Sequence, residues 1–475
     1  MSAFKQKLPA IRLAAALSAF LLLGGCAVGP DYLRPSFLFP EPEKLAPDAE
    51  ARAEVPINPQ WWTLFGDAAL NNLEQQAIEA NQDLQVAIAR LEAAEAAARE
   101  AGADYLPAIS LGANTGRSES SGTTFNGKKI GGQATYNNTR IAASLSYEVD
   151  LWGRVRRSNE AARAEALASR FGRDTVRLTL AGQVANEYLN LRSLDGQIDV
   201  TSQTLESRQQ ALKIVQARLN GGTASGLELA QAESALNGAQ AQWSELRRQR
   251  ALSESQIGLL CGQPGLNIRA AGLDTLPLPP TPPAGLPSTL LEARPDIRQA
   301  EEKLVAANAR IGVAKAAYFP TISLTGLFGS ESMALSNLFS SSAGIWSAAV
   351  GLTMPIFDAG RTGARVDQAT AAQKETLANY RKTVQTAFKE VNDAIVGLRE
   401  YSDEEAAYSA QVGASQRALD LAQKRYESGY SGYMDLLDAQ RTLNSAQLQY
   451  LSSRKSRLGA AVDLFKALGG GWVAG

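Results

Sequence analysis

Residues 153–220 constrain the fold more than any other stretch. They contain no proline, and from Val184 an apolar residue returns every seventh position: Val184, Leu191, Ile198, Leu205, Leu212 and Leu219. That is a heptad seam, and a helical pattern this long reads as coiled coil rather than as an ordinary globular helix. At ~1.5 Å rise per residue such a helix is about 100 Å long. A rod of that length cannot fold back into a compact domain, so it must span something.

The seam occurs twice. It returns at an offset of 207 as Val391, Leu398, Glu405, Val412, Leu419 and Tyr426, and only Glu405 breaks the apolar pattern. Upstream, 83–116 aligns without a gap to 296–329 at an offset of 213, pairing Tyr105 with Tyr318, Pro107 with Pro320 and Ile109-Ser110-Leu111 with Ile322-Ser323-Leu324. From Gly153/Gly360 to Gly262/Gly469 the offset is again 207, so the first copy holds six more residues between two expected strands. A repeat of about 200 residues is too long for a solenoid unit. It reads as duplication of a half-protein.

Composition narrows the function. The chain has 475 residues, a net charge of −1, no histidine and two cysteines. Near-neutral charge gives no footprint for nucleic acid. Without histidine, the commonest metal ligand and general base is missing. No phosphate loop, nucleophile elbow or metal-ligand cluster stands in the sequence, so neither an enzyme nor a metal site is expected. Cys26 and Cys261 are too few for a disulfide framework.

Residues 1–25 resemble an export signal. Lys5, Lys7 and Arg12 precede the apolar run Leu13–Leu23, which is too short to span a bilayer. Leu23-Gly24-Gly25-Cys26 is similar to a bacterial lipobox, which implies cleavage before Cys26 and a covalent lipid on that residue. The alternative is a plain secretory signal with an incidental cysteine. Ala27, rather than Asp, after the cysteine points to the outer membrane. More than one acyl chain gives stable anchoring.

Four segments are expected: signal peptide 1–25, extended proline-rich tether 26–60, first repeat 61–275, and crossover with second repeat 276–475. A helix is expected from about Asp67, as cap, to Asp104. Strands are expected at 108–117, 140–151, 321–331 and 345–357. Within 141–151, Ile141, Ala143, Leu145, Tyr147, Val149 and Leu151 alternate with smaller or polar residues, giving one apolar and one polar face. Glu148 and Asp150 suit a watery lumen. Ten-residue strands match tilted membrane-spanning strands, but four strands leave two open edges, which lipid does not tolerate. Chains must therefore combine, or the sheet is soluble and packs on helices. Gly221, Gly222 and Gly226 break the first rod, and Gly429 and Gly432 the second. Return helices follow at 226–261 and 433–468, placing the hairpin tips at the end farthest from the strands. Cys261, closing the first return helix, reads as a small buried residue rather than a reactive thiol.

Cys26-Ala27-Val28-Gly29-Pro30-Asp31-Tyr32, Trp62…Phe65-Gly66-Asp67…Leu70 and Arg294-Pro295-Asp296-Ile297…Ala300-Glu301…Ala307-Asn308-Ala309-Arg310-Ile311-Gly312 form a specific combination. It resembles the outer-membrane factor family of tripartite efflux systems, in its lipid-anchored NodT-type branch. The resemblance implies a membrane α+β fold. The fold it implies is that of a homotrimeric TolC-type channel-tunnel, with four strands per chain in a shared 12-stranded β-barrel and a long α-helical coiled-coil barrel, built here on the internal repeat. It also implies a periplasmic adaptor and an inner-membrane pump of the resistance-nodulation-division class as partners, with no cofactor beyond the lipid. The family's tip motif resembles Tyr426…Gly429…Asp435-Leu436-Leu437-Asp438-Ala439. By that resemblance Asp435 and Asp438 form rings of carboxylates at the periplasmic gate, Tyr426 belongs to the closing contacts, and Glu228 supplies an acidic partner. Ser431 stands where some relatives carry a basic residue. Without the resemblance, the two aspartates read equally well as ordinary helix N-terminal acids. The function expected is a passive exit duct for small toxic compounds. The alternatives are the same duct serving type I protein secretion, or a non-conducting periplasmic coiled-coil scaffold.

Overall fold

The computed structural model describes residues 27–35, 57–58, 60–123, 134–279 and 294–472. The signal peptide and Cys26 lie outside the described residues, as does most of the tether. The chain forms two compact units. The first gathers residues 1–36, 91–169 and 300–380, and the second 37–90, 170–299 and 381–475.

In chain order the regular elements are β1 (Ile57–Asn58), α1 (Ala68–Ala80), α2 (Gln82–Ala103), β2 (Ala108–Ser120), β3 (Ala134–Val149), α3 (Arg154–Asn220), α4 (Gly226–Leu260), α5 (Pro295–Ala316), β4 (Thr321–Ser332), β5 (Gly344–Thr353), α6 (Arg361–Glu427), α7 (Tyr433–Ala467) and β6 (Gly471–Trp472). The rods α3 and α6 are each 67 residues long, and the return helices α4 and α7 are each 35. No described helix is long and apolar enough to cross a membrane.

The first unit is built on an antiparallel sheet in the order β2-β3-β4-β5. The register puts Leu111 opposite Ala143, Ala143 opposite Phe328, and Phe328 opposite Trp346. Because side chains alternate along each strand, one face is apolar across all four strands. It carries Ile109, Leu111, Leu145, Leu324, Val350 and Leu352. The other face is mostly small and polar, with Ser110 opposite Ser144, Ser146 opposite Thr325 and Glu148 opposite Ser323, though Leu327 and Ile345 also lie on it. Under the sheet, Ala161 and Ala164 of α3 pack on Ala306 and Ala309 of α5. Small side chains let these helices approach closely.

Residues 27–35 are bound in place within this unit. Val28 N donates to Trp152 O (2.9 Å), Asn308 Nδ2 donates to Pro30 O (2.8 Å), and Arg157 holds Asp31 (2.5 Å). Gly29, at φ 112°, lies against Gly312, where a Cβ would stand 2.5 Å from the Gly312 Cα. This stretch of the expected 26–60 tether holds no helix, as expected, and is packed on α3 and α5.

The second unit buries Trp61, Phe65 and Phe465, with the Trp61 and Phe465 rings stacked at 5.3 Å. β1 pairs with β6. Two expectations change here. The helix expected from Asp67 to Asp104 is divided at Asn81. That residue is extended (φ −65°, ψ 128°), its Oδ1 accepts from Leu84 N (3.0 Å), and its Nδ2 donates to Leu260 O (3.0 Å). Asn81 thus caps α2 while tying the break to α4. Asp67 is the cap expected, accepting from Ala69 N and Leu70 N. The seam's one polar residue, Glu405, is buried, and its carboxylate accepts from Arg454 (2.8 Å) and Arg457 (3.0 Å) of α7. An ion triad replaces the missing apolar contact between α6 and α7.

Candidate functional site

The hairpin tips lie in the second unit. Each rod ends in the same way. Gly222 N donates to Leu219 O (3.0 Å) and Thr223 N to Arg218 O (2.8 Å), while Gly429 N donates to Tyr426 O (3.1 Å) and Tyr430 N to Arg425 O (2.8 Å). This bond pair closes a helix on a left-handed residue, and Gly222 and Gly429 supply it at φ 74° and 77°. Gly221, Gly226 and Gly432 have no such backbone requirement; Gly432 sits at φ −77°.

The return helices begin differently. Ser225 accepts from Glu228 N (3.3 Å), and Glu228 Oε2 accepts from Ser225 N (3.2 Å), a complete capping box for α4. Gly432 caps α7 with no side-chain bond. Asp435 is exposed in the first turn. Asp438, also exposed, has a distant ion-pair contact with Arg441 at 3.9 Å. One helical turn apart, the two carboxylates share a face. Tyr433, Leu436 and Leu437 turn inward from the same turns.

That inward face closes a cluster with Ala211 and Val215 of α3, Ala232 and Ala235 of α4, and Tyr426 of α6. The Tyr426 and Tyr433 rings lie 5.9 Å apart. The Arg218 guanidinium stands 4.3 Å from the Tyr426 ring centroid and donates to Tyr426 O (3.2 Å). The two hairpins are thereby joined within one chain. Arg208 is buried beside this cluster with Nε and Nη1 unbonded, and burial lowers its pKa. Burial raises that of Tyr433. The Tyr426, Tyr433 and Ser431 hydroxyls are buried without hydrogen-bond partners.

The tip residues read from sequence therefore sort into two groups. Tyr426 belongs to the buried joint, and Asp435 and Asp438 to the outward face. Glu228 stands apart, engaged in its own helix cap. Sequence reasoning missed Arg218, Tyr433 and Arg208. Arg218 carried one signal, a cation in the last turn of a rod. Glu148, expected to suit a watery lumen, lies opposite Ser323 on the polar face of the sheet, and both it and Asp150 are bonded at the start of α3. Glu148 is doubly bonded by Arg154 (2.7 Å each), and Asp150 accepts from Val155 N and Arg156 N at the start of α3. The strand ends at Val149, so Asp150 is a helix cap.

Away from the tips, Glu74 is fully buried with both carboxylate oxygens unbonded, and burial raises its pKa to about 9. Cys261 is buried, donates to Leu73 O (3.4 Å), and is raised to about 11 by burial and by Glu74. That is the inert cysteine expected. Asp67 gathers Tyr188 (3.0 Å) and Arg192 (3.1 Å) in a buried node.

In the first unit the decisive feature is the exposed apolar sheet face, where Phe328 is 75% and Trp346 78% exposed. A patch of this kind marks contact with lipid or protein. The pattern of the outer membrane efflux protein family matches residues 73–263 and 286–470. The chain belongs to the outer membrane efflux protein family. It is 36% identical over 467 residues to the probable efflux pump outer membrane protein TtgC of Pseudomonas putida, covering 97% of this chain and 95% of that protein. It is 33% identical over 458 residues to the cation efflux system protein CusC of Escherichia coli, covering 95% and 97%. Among solved structures, the outer-membrane channel OprN superposes with a TM-score of 0.87 at 28% identity, covering 94% of this chain and 100% of that one. The protein is an outer-membrane efflux duct.

Proposed function

We propose that three copies of this chain form a shared 12-stranded barrel continued by a helical tunnel, and that the tunnel's tip is gated by Asp435, Asp438 and Tyr426. The observation that carries this reading is the four-stranded sheet, amphipathic across every strand and open at both edges. Open edges are not stable in lipid, and three copies close them with an even number of strands. The duct takes small toxic compounds from an inner-membrane pump of the resistance-nodulation-division class through a periplasmic adaptor. No catalytic step is assigned to the chain. The duplication read from sequence makes each half one sixth of the assembly.

Lipid attachment at Cys26 fits the strap at 27–35. Ala27 lies against Gly153, whose Cβ would stand 2.9 Å from the Ala27 Cα, at the turn from β3 into α3. Ala27, next in sequence to the proposed lipid site, is therefore fixed at that turn.

At the tip, threefold rings of Asp435 and Asp438 attract cations and repel anions, in a field focused by the low-dielectric wall. The buried Tyr426–Tyr433–Arg218 joint holds the hairpins in one packing. Opening requires a second packing of the same helices. Single-channel recording in a planar bilayer tests the reading. Small cation-selective currents are expected, with weaker cation selectivity in Asp435→Ala/Asp438→Ala. Equal selectivity in both would remove the gate from these aspartates. A folded, trimeric preparation without any channels, even after Tyr433→Ala, would overturn the duct.

A further inference from the structure

The two hairpins obey one register. Ala108 opposite Ser146 in the first becomes Thr321 opposite Thr353 in the second, and Ala113 opposite Ile141 becomes Gly326 opposite Ala348. Each second pair follows from the first by adding 213 to the β2 residue and 207 to the β3 residue. The sequence offsets are therefore true backbone equivalences within the sheet.

The chain also contains a joint between its halves. β3 pairs with β4, with Leu145 opposite Gly326 and Ala143 opposite Phe328. If the barrel closes from equal units, the same joint recurs where β5 of one copy meets β2 of the next. We infer that this seam repeats the β3–β4 register, so that Leu352 stands opposite Ala113 of the partner subunit. Val350 then faces Thr115 of the partner subunit, and Ala348 faces Arg117 of the partner subunit. The inference rests on the trimer proposed above and adds to it the seam register.

Two independent observations agree. The first is facial parity. Ala113 shares the apolar face with Leu111, and Leu352 shares it with Ile322, so this register joins apolar face to apolar face. A slip of one residue would turn the apolar face of each copy against the polar face of the next, so the nearest allowed competitors lie two residues away. The second is the end of β5. In β3, Tyr147 and Val149 lie beyond the last β2 rung and are strand through β4 alone. Their equivalents Met354 and Ile356 have no partner strand in the single chain and lie past the end of β5 at Thr353. The seam would supply that partner, setting Ile356 (89% exposed) opposite Ile109 (71% exposed) of the partner subunit. Strand pairing there gives Ile356 a partner strand and covers part of both side chains.

Disulfide trapping in the full chain, with Cys261→Ser throughout, tests the seam. Residues directly opposite on antiparallel strands have Cα atoms about 5 Å apart, within disulfide reach. A shift of two residues adds about 7 Å along the strand, beyond reach. Ala113→Cys with Leu352→Cys is expected to give covalent trimer as the main species on non-reducing gels. Leu111→Cys or Thr115→Cys with Leu352→Cys is expected to give at least about tenfold less. Thr115→Cys with Val350→Cys is a second in-register pair, should the first fail to fold. Trimer by native mass measurement with preferential trapping of a shifted pair would overturn the register and leave the trimer standing. Trimer with no trapped pair would show that these edges do not meet. A folded monomer would overturn the trimer itself.

Discussion

At the first hairpin tip, between α3 and α4, the Glu228 carboxylate bends back to Ser225 N and completes a capping box. At the second, between α6 and α7, the positions 207 residues on are Gly432 and Asp435. The glycine has no side chain to cap with, and the aspartate remains exposed. Both rods end on the same left-handed glycine with the same two bonds. The backbone is thus shared and the acid differs, committed to a helix end in one tip and facing outward in the other. A second difference runs inward. Tyr433 is buried in the tip cluster at 1% exposure, and its counterpart is Gly226, around which a Cβ would meet nothing within 4 Å. The second tip thus carries the outward acids and the aromatic pair, and the first supplies Arg218 and small apolar residues to the same joint.

The largest expected effect lies outside both tips and sets the baseline for comparing them. The Glu74 carboxyl is raised by burial from 4.5 to about 9, so the folded chain holds a proton that the unfolded chain has released. Its contribution is full below about pH 4.5 and is lost as pH rises to about 9, at up to about 1.4 kcal/mol per pH unit. Glu74→Gln should remove this slope and raise the melting temperature at pH 8 relative to wild type. An unchanged pH profile would show that Glu74 gains a partner in the assembly.

Next in size is Tyr433→Ala. Truncating a buried aromatic costs roughly 3–5 kcal/mol. Thermal melting should show the loss, and channel conductance should rise as the tips part. Gly226→Ala, the matching position at the first tip, should change neither. Equal effects would erase the inward difference. Gly222→Ala and Gly429→Ala should each cost about 1–2 kcal/mol, since both put a side chain at positive φ with no neighbour to clash with. Hydrogen exchange at the two rod ends compares them directly, and unequal losses would show that the shared backbone is not equally strained.

The smallest effect on stability is the sharpest test of the acid. Gly432→Ser with Asp435→Glu copies the Ser225–Glu228 box into the second tip at constant charge. It should stabilise α7 by only a few tenths of a kcal/mol. Cation selectivity should nevertheless fall, because the carboxylate is now bound to its own helix. Unchanged selectivity would mean that Asp438 alone sets it.

Most of the scaffold was legible because its signals are periodic and local. The heptad seam gave both rods to within a residue, and all four strands were readable, though β2 and β3 run further toward the loop than expected and β5 stops at Thr353, short of the expected 357. Asp67 was readable as a cap. Asn81 was not. Its neighbours continue a helical pattern, and the break is held by a bond to Leu260, 179 residues away. Glu405 looked like a flaw in the seam until Arg454 and Arg457 were placed beside it. At the tip, the glycines and aspartates stood out, whereas Arg218 and Tyr433 gained meaning only from ring contacts across 208 and 7 positions.

The sequence alone determined the rods, the strands and their amphipathic faces, the duplication and the turn glycines. Each follows from preferences expressed within a few residues, repeated at a fixed period. Tertiary structure alone decided which carboxylates are free and which are tied up: Glu228 in its cap, Glu148 and Asp150 at the start of α3, Glu405 in its triad, and Asp435 facing outward. A charged side chain finds its partner through space, where strong pairing depends on a few ångströms of distance and on burial. Neither quantity leaves a period in the chain.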